Sequence, residues 1–191
     1  MKRDNHFLAD KVVLRVSHLP KKSPLKVLDC FHGKGVVWEN VIRLSQRTDI
    51  EVLGIDHKKG KMDEWGLEFD CKVGLKDMDL TNYDIIDLDA YGCPSEELKL
   101  IFKSKFIGVI FCTNIQSTMN QLPWDLLIDL GYSLDMCRVA PVLCSKGGWE
   151  KVKSWLCLNG VKQITHRSKS KKHYFCFKII RPRREGHEVS S

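Results

Sequence analysis

The sequence lacks a long uninterrupted apolar segment. No apolar run approaches the ~20 residues that a membrane-spanning helix needs. The first six residues lead into mixed sequence and do not provide the apolar core of a secretory signal peptide. We therefore expect a soluble, cytoplasmic protein that does not bind membranes.

Closely spaced cysteine pairs are also absent. The eight cysteines are scattered along the chain, and no two of them form a CxxC pair. Zinc and iron–sulfur sites usually draw their ligands from such pairs, so the sequence predicts no metal site. Cys112 and Cys176 lie in apolar segments, where a free cysteine behaves as a small core residue in a reducing compartment.

Acidic residues are fewer than basic ones. The chain has 31 Lys and Arg residues against 24 Asp and Glu residues, which gives a formal net charge of +7. A basic balance suits a polyanionic partner such as nucleic acid, and the alternative is a set of solvated basic loops. Positive charge gathers at residues 21–22, 57–61, 166–173 and 181–184. Within the third cluster we predict three nucleic-acid contacts, at Lys169, Lys171 and Lys172.

Apolar runs and amphipathic segments alternate from residue 25 onward. Continuous apolar strands that alternate with helices imply a parallel sheet covered on both faces, and therefore an α/β fold. The pattern predicts strands at 26–29, 51–56, 71–74, 83–89 and 106–112, and helices at 36–46 and 95–102.

The end of the chain has a different pattern. It predicts a strand at 134–139 and a helix at 148–158, followed by apolar runs at 161–166 and 173–180. A basic polar loop joins the last two runs, which favours an antiparallel hairpin. The chain then divides into an N-terminal extension over 1–24, with a short helix at 7–16, one domain over 25–180, and a basic flexible tail over 181–191.

A glycine loop and a later acid suggest a ligand site. Asp29 ends the first predicted strand and is followed by Gly33 and Gly35, while Asp56 ends the second strand about 20 residues later. Ligands of open α/β sheets bind at the carboxyl ends of the strands. Glycines let the backbone turn tightly and approach a ligand, and an acid in the second position can accept hydrogen bonds from ribose hydroxyls.

Two residues favour S-adenosylmethionine over a dinucleotide as the cofactor. The position that holds the third glycine of a GxGxxG loop is Trp38, the bulkiest side chain. The carboxylate of Asp29 would repel a pyrophosphate but suits a ligand that carries an ammonium and a sulfonium charge. The alternative is an ordinary strand-to-helix turn.

These motifs resemble those of a known family. Residues 27–35, Val-Leu-Asp-Cys-Phe-His-Gly-Lys-Gly, resemble the first motif of class I S-adenosylmethionine-dependent methyltransferases, especially the LDxFxGxG form of RNA- and DNA-methylating enzymes. Residues 54–56 are similar to their second motif, and the final hairpin matches the antiparallel last strand of their fold. The resemblance implies a Rossmann-like methyltransferase fold: a mostly parallel seven-stranded sheet, an antiparallel last strand, and helices on both faces.

The resemblance also implies roles for individual residues in cofactor binding. The methionine part is expected against Asp29, Gly33 and Gly35, and the ribose against Asp56. Residues after the third strand usually touch the adenine, and there we prefer Asp77 over Asp79. The full set of expected cofactor contacts is Asp29, Phe31, Gly33, Gly35, Asp56, His57 and Asp77.

A second group of candidates follows the fourth predicted strand. An exocyclic amine needs a hydrogen-bond acceptor for its N–H and a wall for its ring, and Asp89 and Tyr91 suit these roles. Residues 87–94, Asp-Leu-Asp-Ala-Tyr-Gly-Cys-Pro, resemble the DxDPFGSP motif of tRNA guanine-N2 dimethyltransferases. They depart from it at Ala90 and Cys93. The predicted catalytic residues are therefore Asp89, Tyr91 and Asp87.

We therefore expect a methyltransferase that acts on an exocyclic amine of a nucleic-acid base, with tRNA or other RNA as the preferred substrate and DNA as the alternative. Cys93 precedes its proline instead of following it, which disfavours covalent cytosine chemistry. Asn114, after the fifth strand, is a further candidate for the pocket. The alternatives are a small-molecule or protein methyltransferase and a non-catalytic nucleic-acid-binding protein that keeps the fold. So short a chain also leaves room for a partner subunit.

Overall fold

A computed structural model describes residues 7–57, 66–116, 121–169 and 171–180. The predicted tail over 181–191 and most of the basic cluster 57–61 lie outside these described residues. The strands are β1 (Leu25–Asp29), β2 (Ile50–Asp56), β3 (Gly66–Glu68), β4 (Ile85–Leu88), β5 (Gly108–Ile115), β6 (Thr165–Lys169) and β7 (Lys172–Ile179). The helices are α1 (Leu8–Val16), α2 (Val36–Ser45), α3 (Cys71–Asp77), α4 (Ser95–Lys103), α5 (Trp124–Asp129), α6 (Leu134–Val139), α7 (Pro141–Cys144) and α8 (Gly148–Leu158), with a 3₁₀ turn at Leu80–Asn82.

All seven strands form one sheet, in the order β3-β2-β1-β4-β5-β7-β6. β7 runs antiparallel to both β5 and β6, and the remaining pairs are parallel. This confirms the predicted mostly parallel, seven-stranded α/β sheet. The strand order reverses between β1 and β4, so the carboxyl ends of these two strands form the crevice in which such sheets bind ligands.

Side chains of successive strand residues alternate between the two faces of the sheet. We call one face the α1 face; its buried cluster includes Val12, Leu14, Val27, Trp38, Ile85, Phe111, Tyr174 and Cys176. We call the other the α8 face; its buried cluster includes Leu28, Ile86, Leu98, Ile110, Cys112, Leu126, Trp155, Phe175 and Phe177. Both faces are therefore covered, as continuous apolar strands require. No helix among the described residues has the length and apolarity to cross a membrane.

Three predictions of local structure were wrong. Residues 71–74 belong to helix α3, which Asp70 caps by accepting hydrogen bonds from the N–H groups of Lys72 and Val73. The third strand is the preceding polar segment Gly66–Glu68. Residues 134–139 form helix α6, capped by Ser133, and the strand predicted from 161 starts at Thr165. Short apolar runs do not distinguish strand from helix by periodicity, and in two of these cases the capping residue was decisive.

Helix α1 packs against α2 and β7, and a buried ion pair joins it to β4. Arg15 is 1% exposed, and its Nε and Nη2 donate to the two carboxylate oxygens of Asp87, each at 2.6 Å. Trp38 Nε1 donates to the same carboxylate at 2.9 Å. The helix within the predicted N-terminal extension therefore belongs to the same core as the sheet.

We expect Arg15→Ala to lower the free energy of unfolding by about 3–5 kcal/mol, because it leaves the buried carboxylate of Asp87 without its cation. Urea unfolding measures this loss. Arg43→Ala is the matched control, since Arg43 bonds to Asn40 on the exposed side of α2, and its effect should stay within about 0.5 kcal/mol. Equal, small losses in both variants would show that the ion pair does not anchor α1.

Candidate functional site

The loop between β1 and α2 is shaped by two glycines. Gly33 and Gly35 have φ angles of +58° and +69°, a conformation that favours glycine. A Cβ at Gly33 would meet no atom within 4 Å, so the backbone angle and not a lack of space requires glycine there. The open space beside Gly33 also leaves its backbone accessible to a ligand.

A buried histidine fixes the start of this loop. His32 Nδ1 lies 3.0 Å from Asp29 Oδ2, and both side chains are buried. The His32 ring packs against Gly54 of β2, where an added Cβ would stand 2.2 Å from the ring. The glycine of the second sequence motif therefore makes room for the histidine of the first, and the imidazole orients the Asp29 carboxylate.

Asp56 links the second strand to the same loop. Its Oδ2 accepts a hydrogen bond from the Gly33 N–H at 3.1 Å, and its Oδ1 lies 3.5 Å from Nδ1 of His57, whose side chain is 61% exposed. The structure thus brings Asp29, Gly33 and Asp56 together at the carboxyl ends of β1 and β2. Phe31, in the same loop, is half-buried and packs against the α8-face cluster.

The predicted adenine contact of Asp77 stays a prediction, and the structure offers a different acid after the third strand. Helix α3 starts near the carboxyl edge, where Lys72 pairs with Glu96 at the start of α4, and it runs to the opposite edge of the sheet. Asp77 is the last residue of α3. Two residues further on, Thr81 lowers the pKa of Asp79, and Lys105, just before β5, adds to this. Asp77 was chosen because 71–74 was taken as the third strand; the acid that follows β3 is Asp70.

The fourth-strand acids both face helix α1. Asp89 Oδ2 lies 2.6 Å from Lys11 Nζ, and its other oxygen accepts a hydrogen bond from the Thr113 hydroxyl. Although burial opposes the shift, Lys11 and then Arg15 lower the pKa of Asp89, so this carboxylate is ionised at neutral pH. For Asp87, burial raises the pKa while Arg15 acts in the opposite direction.

These contacts give the three predicted catalytic residues different surroundings. Asp87 is 1% exposed and holds Arg15 and Trp38, so its role visible in the structure is to anchor α1. Asp89 is nearer the surface, and Tyr91 is 82% exposed. The loop that carries Tyr91 is tied to β5, because the Ile115 N–H donates to the Gly92 carbonyl at 2.8 Å.

The α8 face carries an aromatic cluster that the sequence patterns did not predict. His166 Nε2 and His173 Nδ1 lie 3.0 Å apart, and Trp149 stacks on both rings with centroid distances of 4.0 and 4.9 Å. In the sequence, both histidines belong to the basic cluster 166–173. His173 and Phe175 are two residues apart in one strand, so their side chains point to the same face of the sheet. This spacing could have indicated that the His173 ring faces the core.

Asn114 lies directly opposite this cluster. It pairs in register with His173 near the carboxyl end of β5, so both side chains project from the α8 face. Asn114 is 1% exposed, and its Oδ1 has no hydrogen-bond partner among the described residues. Buried polar atoms are nearly always paired, so this oxygen is an acceptor without its donor.

The predicted nucleic-acid contacts lie at the tip of the β6–β7 hairpin, on the carboxyl edge of the sheet. Lys169 Nζ lies 4.9 Å from the centroid of the Phe7 ring and 3.7 Å from Asp10 Oδ2. Lys171 is exposed, and Lys172 pairs in register with Ile115 at the end of β5. In the described parts of the chain, no group of three or more His, Cys, Asp or Glu side chains is placed to hold a metal ion.

Comparison with known proteins gives matches at the level of structure. No protein-family model and no curated protein sequence matches the chain. Precorrin-6y C5,15-methyltransferase from Geobacter metallireducens GS-15 aligns with a TM-score of 0.55 at 12% identity, covering 94% of this chain and 93% of that one. The SAH-bound methyltransferase PaMTH1 of Podospora anserina aligns with a TM-score of 0.50 at 12% identity, covering 90% of this chain and 77% of that one. The fold is the class I methyltransferase fold.

The CurJ carbon methyltransferase also has this methyltransferase fold, with a TM-score of 0.55 at 13% identity. The alignment covers 90% of this chain but 54% of that one, so the present chain spans about half of its length. The fold implied by the motif resemblance is therefore confirmed. The similarity of residues 87–94 to the tRNA guanine-N2 dimethyltransferases stays a prediction.

We expect Asp56→Ala to weaken binding of S-adenosylhomocysteine by about ten- to hundredfold. The reason is the loss of hydrogen bonds from a charged acceptor, worth about 1.5–3 kcal/mol, and of the bond that holds Gly33. Isothermal titration calorimetry measures the affinity. Asp77→Ala, at the opposite edge of the sheet, is the matched control and should bind like the wild type. Wild-type affinity in Asp56→Ala would remove the ribose role.

We also expect the protein to lose stability as the pH falls through about 6.5. Burial, followed by His173 and Lys153, lowers the pKa of His166; burial lowers the pKa of His173, with Glu150 acting in the opposite direction. The unfolded chain therefore takes up protons before the folded chain does, so the stabilisation is present above pH 6.5 and is lost toward lower pH.

Urea unfolding between about pH 7 and pH 5 measures this dependence. The double variant His166→Gln/His173→Gln should have a shallower dependence of unfolding free energy on pH, and His18→Gln is the matched control for loss of an imidazole. An unchanged slope in the double variant would show that the cluster does not contribute.

Proposed function

We propose that this protein is an S-adenosylmethionine-dependent methyltransferase that acts on an exocyclic amine of a nucleic-acid base, in RNA rather than DNA. The observation that carries the proposal is the convergence of Asp29, Gly33 and Asp56 at the carboxyl ends of β1 and β2, with Asp89 at the adjacent end of β4. A cofactor site and a candidate catalytic acid thus share one edge of the sheet.

The residues of the loop fit the proposed cofactor. Asp29 offers a negative charge to an ammonium or sulfonium group, the backbone at Gly33 is open, and Asp56 is an acceptor for ribose hydroxyls. Asp70, which follows β3, takes the place of Asp77 as the candidate on the adenine side. When bound, S-adenosylmethionine supplies an electrophilic methyl group on a good leaving group.

Asp89 is the residue that we assign to the acceptor amine. Because its pKa is lowered, it is an ionised acceptor for an N–H, and Lys11 and Thr113 hold it in one orientation. S-adenosylmethionine held by Asp29, Gly33 and Asp56 would supply the methyl group, with its sulfur as the leaving group, and Asp89 would orient the amine nitrogen toward that methyl group. The proton released from nitrogen passes by way of the Asp89 carboxylate to solvent. Aligning the nucleophile is the main contribution of the protein.

Nucleic acid as substrate is supported by charge and position. The formal net charge is +7, and Lys169, Lys171 and Lys172 lie at the same edge of the sheet as Asp89. Tyr91 is exposed at that edge, where a flipped base could stack on its ring. The second candidate function is methylation of a small molecule, because the structural comparisons include a precorrin methyltransferase of nearly equal length.

Transfer of a labelled methyl group to total tRNA, rRNA and unmodified DNA tests the proposal. We expect transfer to RNA, with an affinity that falls steeply as salt is raised. Asp89→Ala should reduce transfer by about 10²- to 10⁴-fold, the range for loss of a positioned acid–base group, and should leave S-adenosylhomocysteine binding intact. Asp79→Ala, at the opposite edge, is the matched control.

Different results point to different errors. Full activity in Asp89→Ala would remove the catalytic assignment. Methylation of small molecules but of no nucleic acid would replace the proposed substrate class. Absence of cofactor binding to the pure wild-type protein would overturn the proposal that it is an S-adenosylmethionine-dependent enzyme.

A further inference from the structure

The last residues of strand β7 extend beyond strand β6 and leave a free strand edge. β6 starts at Thr165, which pairs with Cys176, so residues 177–179 of β7 have no strand partner on this side among the described residues. Lys178 alternates with Cys176, a member of the α1-face cluster, and therefore points to the α1 face. A cleft of about 820 Å³ opens beside this edge.

The cleft has an apolar floor and walls from separate parts of the chain. On the α1 face the floor includes Val109, the cross-strand partner of Lys178, and one wall is residues 18–20, which follow helix α1. Nδ1 of His18 donates to the Leu14 carbonyl at 2.9 Å, and this bond holds the ring in the wall. Past the free edge, the cleft continues to aromatic side chains of the α8 face, namely Phe102, Phe106 and Phe177. Cavities of about 300–1,000 Å³ accommodate small-molecule ligands, so the cleft has the size of a ligand site.

The charged residues that line the cleft are basic. Lys162 and Lys178 are exposed, and neither forms an ion pair with another described residue. In the described part of the chain, no Asp or Glu lines the cleft. A carboxylate accepts strong, charge-assisted hydrogen bonds from ammonium groups. An apolar cavity with unpaired cations at its opening therefore suits a ligand that has an apolar body and an anionic head group.

The cleft and the cofactor loop lie at opposite edges of the sheet. Val109 is the second residue of β5, and the glycine loop follows the carboxyl end of the neighbouring parallel strands. From Val109 to Ile115, at the carboxyl end of β5, the strand spans about 20 Å. A ligand in the cleft therefore does not touch a cofactor at Asp29 and Asp56, and both sites can be occupied at once.

We propose that this cleft binds a small amphipathic acid, an aliphatic carboxylate whose head group lies at Lys178 and Lys162 and whose chain lies along the apolar floor. The site is separate from the proposed methyl transfer and does not depend on it. Burial of the chain contributes to affinity, and the lysines provide the preference for an anion over a neutral molecule. A flexible chain can follow the cleft around the free edge of β7, whereas a rigid ring system would fit on one face only.

Isothermal titration calorimetry with decanoate tests the proposal on the full chain. We expect saturable binding at one site per chain. Decan-1-ol has the same apolar chain without the charge, and it should bind about ten- to hundredfold more weakly because it cannot form the charge-assisted hydrogen bonds. Saturation with S-adenosylhomocysteine should leave the affinity for decanoate unchanged, since the two sites lie at opposite edges of the sheet.

The decisive variant is Lys162→Gln/Lys178→Gln. Both side chains are exposed, so the unfolding midpoint should not change, and the affinity for decanoate should fall about ten- to hundredfold. Lys76→Gln/Lys146→Gln is the matched control, because it removes the same charge at two exposed positions outside the cleft and should bind decanoate like the wild type.

Backbone amide NMR during the same titration locates the ligand. We expect chemical-shift changes at Val109, Phe177 and Lys178, and none at Gly33 and Gly35 of the cofactor loop.

Four results would overturn the proposal: no binding of decanoate, equal affinities for decanoate and decan-1-ol, equal affinities in the two double variants, or shift changes at the cofactor loop in place of the cleft. None of these results bears on methyl transfer, which the labelled-methyl assay tests separately.

Discussion

The ion pair between Arg15 and Asp87 is the contact on which the arrangement of the site depends. It positions helix α1 along strand β4. A second ion pair, Lys11 with Asp89, lies one helical turn and two strand residues away. Lys11 is four residues before Arg15, about 6 Å along a helix, and Asp89 is two residues after Asp87, about 6.6 Å along a strand. Two ion pairs therefore form in parallel, and the second of them holds the candidate catalytic carboxylate.

The same strand ends present different chemistry on the two faces of the sheet. On the α1 face, ion pairs keep Asp89 charged and oriented. On the α8 face, the neutral amide Asn114 is buried and pairs in register with His173, whose ring stacks on Trp149. The glycine loop follows β1 at the same edge of the sheet, and its shape depends on the packing of His32 over Gly54.

Sequence patterns were informative where the chain forms buried parallel strands and glycine turns. Strands β1, β2, β4 and β5 each contain a short apolar run, and the acids Asp29, Asp56 and Asp89 follow the runs of the first three. The pattern failed at β3, a strand of three residues with no apolar run, and this error moved the adenine-side candidate from Asp70 to Asp77. Contacts between distant segments, such as Arg15 with Asp87, 72 residues apart, leave no local pattern to detect.

The position of β7 has a consequence for how the chain reaches this structure. β7 follows every other strand in the sequence, yet it lies inside the sheet, between β5 and β6. While the ribosome is still making residues 172–179, the apolar strand β5 has an open edge with unpaired backbone groups, a surface that invites pairing with other chains. A nascent chain that is released before β7 is made would therefore be prone to aggregation through this edge.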